Sequence, residues 1–484
     1  MKIRSVRFNF IMNFLLTVSQ FLFPLITFPY VSRVLKPAGT GSVAFATSVI
    51  TYFTMFAMLG VPTYGIRACA RVRENKEELS KTVQELLIIN VVMMLFCYVV
   101  FGVSLFSVDK FQENKMLLLI SSTAMLLNVI GVSWLYSALE QYTYITTVAM
   151  VFKVISIALM FAFVHTKEDY IIYGGITVFA NAGSYVLNFI RLRKFISLKL
   201  VGNYDFRRHI KPIFVFFAMS VATTIYTNLD TVMLGFMKTD TDVGYFNAAV
   251  KVKNVLVSLV TSLGTVLLPR LSFYIENGQT KEFRRMIAKA INFVLLISFP
   301  LTIYFTFYAR ESILLLSGHE FMGAVIPMCV VTPTIIMIGL SNVLGIQVLV
   351  PIGKENKVLF SVIIGAVVDL LLNLVYIPKY AATGAAIGTL AAEVVVLMIQ
   401  IAYLKQMLWG MKGEIHWKQI GFAVLISTVV IWLVRRYVMI NSVFFTLVVS
   451  AIIYFGTYGA VLLAMKEPFV LDIVEPILRK IRKL

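Results

Sequence analysis

Residues 83–106 read VQELLIINVVMMLFCYVVFGVSLF, an almost unbroken apolar run. A helix needs about 20 such residues to cross about 30 Å of hydrocarbon. Isolated strands are excluded, because lipid offers no partner for unpaired backbone groups. A membrane barrel would show short alternating segments, and this run does not alternate. Runs of the same kind recur at about residues 9–31, 43–64, 83–106, 116–137, 145–164, 170–190 and 212–236. They continue at about 243–268, 288–308, 323–348, 358–378, 383–404, 418–438 and 441–463. The expected fold is all-α and polytopic, with about fourteen transmembrane helices joined by short connections.

Composition agrees. Of 484 residues, 59% are hydrophobic and only 14% charged, with a mean hydropathy of +0.87. Soluble domains carry about 25% charged residues, so a water-soluble chain this apolar could not cover its surface. The net charge of +19 then reports membrane topology and an anionic surface or substrate rather than nucleic acid. Cys69, Cys97 and Cys329 form an odd set within or beside apolar sequence, with neither a disulfide framework nor metal spacing. The start MKIRSVRFNF resembles a signal peptide. Its apolar run continues through Val31 without a small-residue cleavage pattern, which predicts an uncleaved first helix.

Lysine and arginine fix an expected orientation. With the N-terminus inside, thirty of the 43 basic residues fall on the inner side, ten on the outer side and three within helices. That asymmetry predicts cytoplasmic termini and an even number of spans. A weak internal repeat accompanies it. Gly41 and Gly244 open the second and eighth helices, Pro62 and Pro269 close them, and Lys76-Glu77 and Lys281-Glu282 precede the third and ninth. Gly174-Gly175 and Gly384 open the sixth and twelfth. The expected organisation is a six-helix bundle over 1–194, a cytoplasmic linker over 195–211, a second bundle over 212–404, and two further helices with a tail over 405–484. Parallel repeats of this kind build transporters with a site between the halves.

Polar residues inside the spans are costly and therefore informative. Helix one carries Asn9, Asn13, Thr17, Gln20, Pro24 and Thr27 on one helical face. That stripe serves either interhelical hydrogen bonds or cavity lining, and Pro24 is expected to bend the helix as part of a gate. Helix eight carries Asn247, Lys251, Asn254, Ser258 and Thr261 on one face. Lys251 is placed in the cavity, because starting the helix late enough for it to snorkel leaves too short a span. Lys153 lies deep in helix five, in the cavity or snorkelling to the inner headgroups. Asp230 in helix seven is expected near Lys251 at the same outer turn, as an ion pair or a gating group. Asp369 and Glu393, midway along helices eleven and twelve, are candidates for a proton or cation, or for pairing with lysine.

Lys153 and Lys251 could meet a diphosphate as point charges, with Asn13, Gln20, Asn247 and Tyr226 available to sugars. No catalytic constellation is present. His165, His209, His319 and His416 have no metal spacing, no Walker A motif occurs, and every outer loop is short.

The stretch Phe23–Arg73, FPLITFPYVSRVLKPAGTGSVAFATSVITYFTMFAMLGVPTYGIRACARVR, resembles the N-terminal part of Wzx-type polysaccharide flippases. Trp134–Tyr144, WLYSALEQYTY, and Asn228–Val252, NLDTVMLGFMKTDTDVGYFNAAVKV, resemble the same family. It belongs to the superfamily of multidrug, oligosaccharidyl-lipid and polysaccharide exporters. The resemblance implies translocation of an undecaprenyl-diphosphate-linked repeat unit to the outer leaflet of the bacterial cytoplasmic membrane, for O-antigen or capsule assembly. It also implies alternating access driven by a proton or sodium gradient or by membrane potential, without a bound cofactor. Lys153, Lys251 and Arg33, the last from PYVSRVL, would form a cationic cavity. Membrane lipids, a polysaccharide polymerase and other glycan-assembly proteins are the expected partners. The competing expectations are an organic-cation antiporter, which should bury carboxylates without excess lysine, and a membrane scaffold for glycan assembly.

Overall fold

The computed structural model describes residues 6–262, 264–437 and 442–471. Side chains at 6–11, 13, 14, 17, 18, 20–22, 264–266, 268, 269 and 412 lie outside the description. The described chain is helical and contains no strand. It divides into two compact units, residues 1–244 and 245–484.

Unit 1 contains α1 (Val6–Met58), α2 (Val61–Arg71), α3 (Lys76–Ser107), α4 (Asp109–Glu113), α5 (Lys115–Gly131), α6 (Ser133–Ala138), α7 (Tyr142–Phe163), α8 (Tyr170–Ala182), α9 (Ser184–Arg191) and α10 (Arg207–Met237), and it ends in the first turn of α11 (Asp240–Thr261). At 1.5 Å per residue a straight α1 would run about 80 Å, far more than one crossing. It is broken at Lys36, whose φ of 61° and ψ of 176° are not helical. Pro37 follows and starts the second half, as proline favours a first helical position. The backbone stays helical through Pro24 and Pro29, so the break falls at Lys36 rather than at Pro24. The second span occupies residues 37–58, earlier than the expected 43–64. It ends in a turn where Leu59 and Gly60 both take positive φ, and Pro62 opens α2 instead of closing a span.

The start of α3 shows why a helix begins there. The Asn75 side chain accepts hydrogen bonds from the backbone nitrogens of Glu77 and Glu78 at 3.0 and 3.2 Å, satisfying donors that the first turn leaves open. Along α3, Val92, Phe96, Val99, Val103 and Phe106 are exposed, whereas Glu85, Asn90, Met94 and Cys97 are buried. A helix with its greasiest face outward and polar groups inward is solvated by lipid.

Unit 2 holds the remainder of α11, then α12 (Gly264–Glu276), α13 (Thr280–Phe307), α14 (Ala309–Ser317), α15 (Val325–Val331), α16 (Thr334–Ser341), α17 (Glu355–Tyr380), α18 (Ala382–Gly410), α19 (Trp417–Tyr437) and α20 (Val443–Ala464). α17 and α18 form a hairpin about Ala381, which takes a positive φ of 47°. Gly384 lets the α18 backbone pass against that of Tyr376. α13 packs on α19 and α20 through Tyr304, Tyr308, Ile431 and Tyr454.

Twelve helical segments among the described residues are long and apolar enough to cross a membrane. The pair His319–Val331 and Thr334–Leu349, bent by 45°, passes the same test only when its two halves are taken together. One of the twelve, Phe23–Arg71, contains the break at Lys36. The protein is therefore a multi-pass membrane protein, with twelve to thirteen candidate crossings among the described residues.

Candidate functional site

Unit 1 encloses a cavity of about 580 Å³ bordered by α1, α5, α8 and α10. Thr47, Thr51 and Thr54, one helical face of the second half of α1, form one wall. Ser121 and Asn128 come from α5, Thr177 and Asn181 from α8, and Ser220 and Thr224 from α10. Among the described residues the lining carries hydroxyls and carboxamides but no charged side chain. The opposite faces of α5 and α8, including Ile120, Leu127 and Phe179, line a separate apolar cleft. Each helix thus splits its chemistry between two sides.

The expected site residues are distributed differently. Lys153 lies on α7 and is buried, 8% exposed, so it does not snorkel. Its Nζ donates to Ser19 Oγ at 2.8 Å and sits 5.5 Å from the centre of the Phe23 ring, both on the first half of α1. Among the described residues, no carboxylate lies within ion-pair reach of it. Arg33 is exposed and donates back to the Pro29 carbonyl of its own helix. Tyr226 and Asp230 lie on α10, half-buried and buried respectively. Asn247 and Lys251 are half-buried on α11, within unit 2. The side chains of Asn13 and Gln20 lie outside the described residues. None of those whose side chains are described lines the uncharged cavity, whose walls were missed on a reading that followed charges.

Asp369 and Glu393 are both buried in unit 2, at 2% and 6% exposure, each twelve residues from the turn at Ala381. Asn373 Nδ2 donates to Asp369 Oδ1 at 3.2 Å. A Cβ at Gly388 would lie 2.7 Å from that same oxygen, so glycine is what admits the polar pair between α17 and α18. A buried carboxylate beside a carboxamide can hold a proton or a small cation.

Two further networks escaped the sequence reading. Glu85 on α3 is fully buried and accepts from the Arg208 guanidinium at 2.6 and 3.1 Å, from His209 Nε2 at 2.7 Å and from the Asp205 backbone at 2.7 Å. His209 Nδ1 meets the Tyr64 hydroxyl at 2.8 Å, so the network ties α2, α3 and the start of α10 together. Its signal in the sequence was Glu85, a carboxylate inside an apolar run. On α4, Lys110 lies 2.9 Å from Asp240 and 3.1 Å from Glu113, and Asp240 also accepts from Ser42 Oγ at 2.8 Å. Burial lowers the Lys110 pKa, but the two carboxylates outweigh it and hold the amine above the usual lysine range. No group of His, Cys, Asp and Glu among the described residues is arranged to hold a metal ion.

Against known proteins, residues 6–274 match the profile of the polysaccharide biosynthesis protein family. The candidate O-antigen transporter of Escherichia coli (strain K12) is 26% identical over 403 residues, covering 83% of this chain and 97% of that protein. Its counterpart in Shigella dysenteriae is 24% identical over 402 residues, covering 82% and 99%. Among solved structures, the lipid II flippase MurJ in an inward closed conformation superposes with a TM-score of 0.76 at 14% identity, over 96% of this chain and 99% of that one. An inward-facing MATE family transporter of the MOP superfamily superposes with a TM-score of 0.60 at 15% identity, over 81% and 96%. The two structures share the fold. The profile match spans more than half of the sequence, and the chain belongs to the polysaccharide biosynthesis protein family.

Proposed function

We propose that the protein is a flippase that moves an undecaprenyl-diphosphate-linked oligosaccharide from the inner to the outer leaflet of the bacterial cytoplasmic membrane, for O-antigen or capsule synthesis. Its relatives include candidate O-antigen transporters, and its fold is shared with a lipid II flippase. The observation that carries the reading is Lys153. An amine at the centre of a transmembrane helix costs about 2.5–3.5 kcal/mol or more to insert. Here it is buried against a serine and a phenyl ring, with no carboxylate to offset it among the described residues. Such a group is retained for an anion that arrives from elsewhere. A diphosphate supplies that anion, and lysine meets phosphate as a point charge.

On this reading transport proceeds by alternating access, with both termini cytoplasmic. The chain catalyses no bond change and needs no cofactor. Asp369, Asn373 and Glu393 supply the place where a proton or sodium gradient acts. Asp230, Pro24 and Lys251 are assigned to gating and substrate contact, with Arg33, Asn13, Gln20, Asn247 and Tyr226 as further substrate contacts. A polymerase and other glycan-assembly proteins are partners on the outer side. The organic-cation antiporter is the second reading, favoured by the fold shared with a multidrug transporter and by the buried carboxylates of unit 2. The test is complementation of a strain that lacks its own flippase, read as surface polysaccharide. Restored display by the wild-type chain supports the flippase. Failure to restore display, together with expulsion of ethidium, sinks it in favour of the antiporter.

A further inference from the structure

We propose that the neutral polar cavity of unit 1 is a saccharide site, one that recognises the sugar hydroxyls of the transported lipid apart from the buried amine of Lys153. The inference rests on the flippase reading and names what one part of that machinery reads.

The cavity's chemistry is neutral and polar. Asn128 gives one Nδ2 hydrogen to the Ala124 carbonyl at 2.8 Å, and Asn181 gives one to the Thr177 carbonyl at 3.0 Å. Thr51 and Thr177 likewise donate to the carbonyls of Thr47 and Tyr173, at 2.7 and 2.9 Å. Each carboxamide keeps a second N–H and its oxygen for a ligand, and the two threonine oxygens are left to accept. Both Asn128 and Asn181 line the cavity. Among the described residues this wall holds donors and acceptors but no cation to meet phosphate or carboxylate oxygens. It matches a ligand that brings many O–H donors, which is what a neutral saccharide brings. The volume of about 580 Å³ falls within the range of about 300–1,000 Å³ typical of small-molecule sites. An organic cation fits less well, because no lining carboxylate offsets its charge on leaving water. Lys153 does not line the cavity and faces Ser19 instead, so anion and sugar are read at separate places.

The experiment uses the full chain in a host deleted for its own flippase and supplied with a repeat unit of neutral sugars on undecaprenyl diphosphate. The paired substitution Asn128→Leu and Asn181→Leu should lower surface polysaccharide about tenfold at unchanged membrane abundance, because sugar hydroxyls lose their acceptors. Thr123→Val, on the opposite face of α5, should export normally. If the double variant fails to accumulate, Asn181→Leu and the isosteric Thr177→Val are read singly and should each reduce export. Wild-type export by variants that reach the membrane overturns the saccharide site and leaves the flippase reading standing. Failure of the wild-type chain itself overturns both. Ethidium efflux by the wild type that falls in the asparagine variants overturns the saccharide site in favour of a cation site.

Discussion

Gly41 and Gly244 meet backbone to backbone: a Cβ on Gly41 would stand 2.7 Å from the Gly244 nitrogen and overlap the Asp240 carbonyl, and one on Gly244 would overlap the carbonyl of Pro37. The sequence pairs the same two glycines as matching positions of a repeat. Their role in the fold is closeness rather than turning, since neither takes a positive φ. Ser42 and Lys110 hold Asp240 beside this crossing. Gly41→Ala therefore forces the start of residues 37–58 away from Asp240. It should lower the apparent melting temperature of the detergent-solubilised protein. Gly39→Ala, where the nearest atoms are side-chain carbons at 3.1 and 3.2 Å, should be milder. Equal melting of the two variants would show that the close crossing contributes nothing to stability.

Lys153 gives a prediction in which function and stability separate. An amine buried in a membrane helix without a carboxylate is a cost to folding, so Lys153→Ala should insert and melt at least as well as the wild type. Surface glycan should nevertheless fall. Lys153→Arg keeps the charge and should retain part of the export. A lysine needed only for packing against Ser19 and Phe23 would show the opposite pattern, with lower melting and normal glycan.

The Glu85 network makes the converse prediction. Glu85→Gln removes the buried carboxylate that His209 and Arg208 share, leaving Arg208 only its exposed pair with Glu78 at 2.8 Å. Breaking a buried pair from one side costs roughly 3–5 kcal/mol. Arg208 is about one-third exposed, so water screens part of that and places the loss at the lower end. The variant should melt several degrees lower, and Glu85→Ala lower still because it leaves a void as well. Unchanged melting of Glu85→Gln would mean that the hydrogen bonds to the Asp205 backbone and to His209 survive with an amide in place.

The all-α, multi-pass fold was legible in the sequence because hydrocarbon demands a run of fixed length, and such a run is visible in any window. The break at Lys36 falls within the connection expected between residues 31 and 43, and Lys36-Pro37 signalled it; Pro24, expected to bend the first helix, leaves the backbone dihedrals helical. Proline alone does not end a membrane helix when neighbouring groups satisfy the freed carbonyl. The cavity was harder to see, since serine, threonine and asparagine also serve as glue between helices. Thr47, Thr51 and Thr54, and Thr177 with Asn181, do keep the helical spacing that drew attention to helices one and eight. Attention went to lysines, whose cost in lipid is larger, and the described residues that border the cavity carry no charge. Pairings such as Glu85 with Arg208, far apart in sequence, have no local signature at all.

The buried carboxylates of unit 2 yield the last prediction. Asp369 shares a hydrogen bond with Asn373, and Glu393 lies at the matching distance from the hairpin turn on α18. Carboxylates kept out of water on two adjoining helices change charge only by taking up a proton or a small cation, and that uptake is what a gradient can drive. Asp369→Asn combined with Glu393→Gln should therefore remove the stimulation of transport by an imposed gradient in reconstituted vesicles, while slow exchange without a gradient persists. Imposing proton and sodium gradients separately identifies the ion, since only the one that binds here loses its effect. If the double variant still responds fully to both gradients, coupling resides elsewhere and these carboxylates serve the packing of α17 on α18.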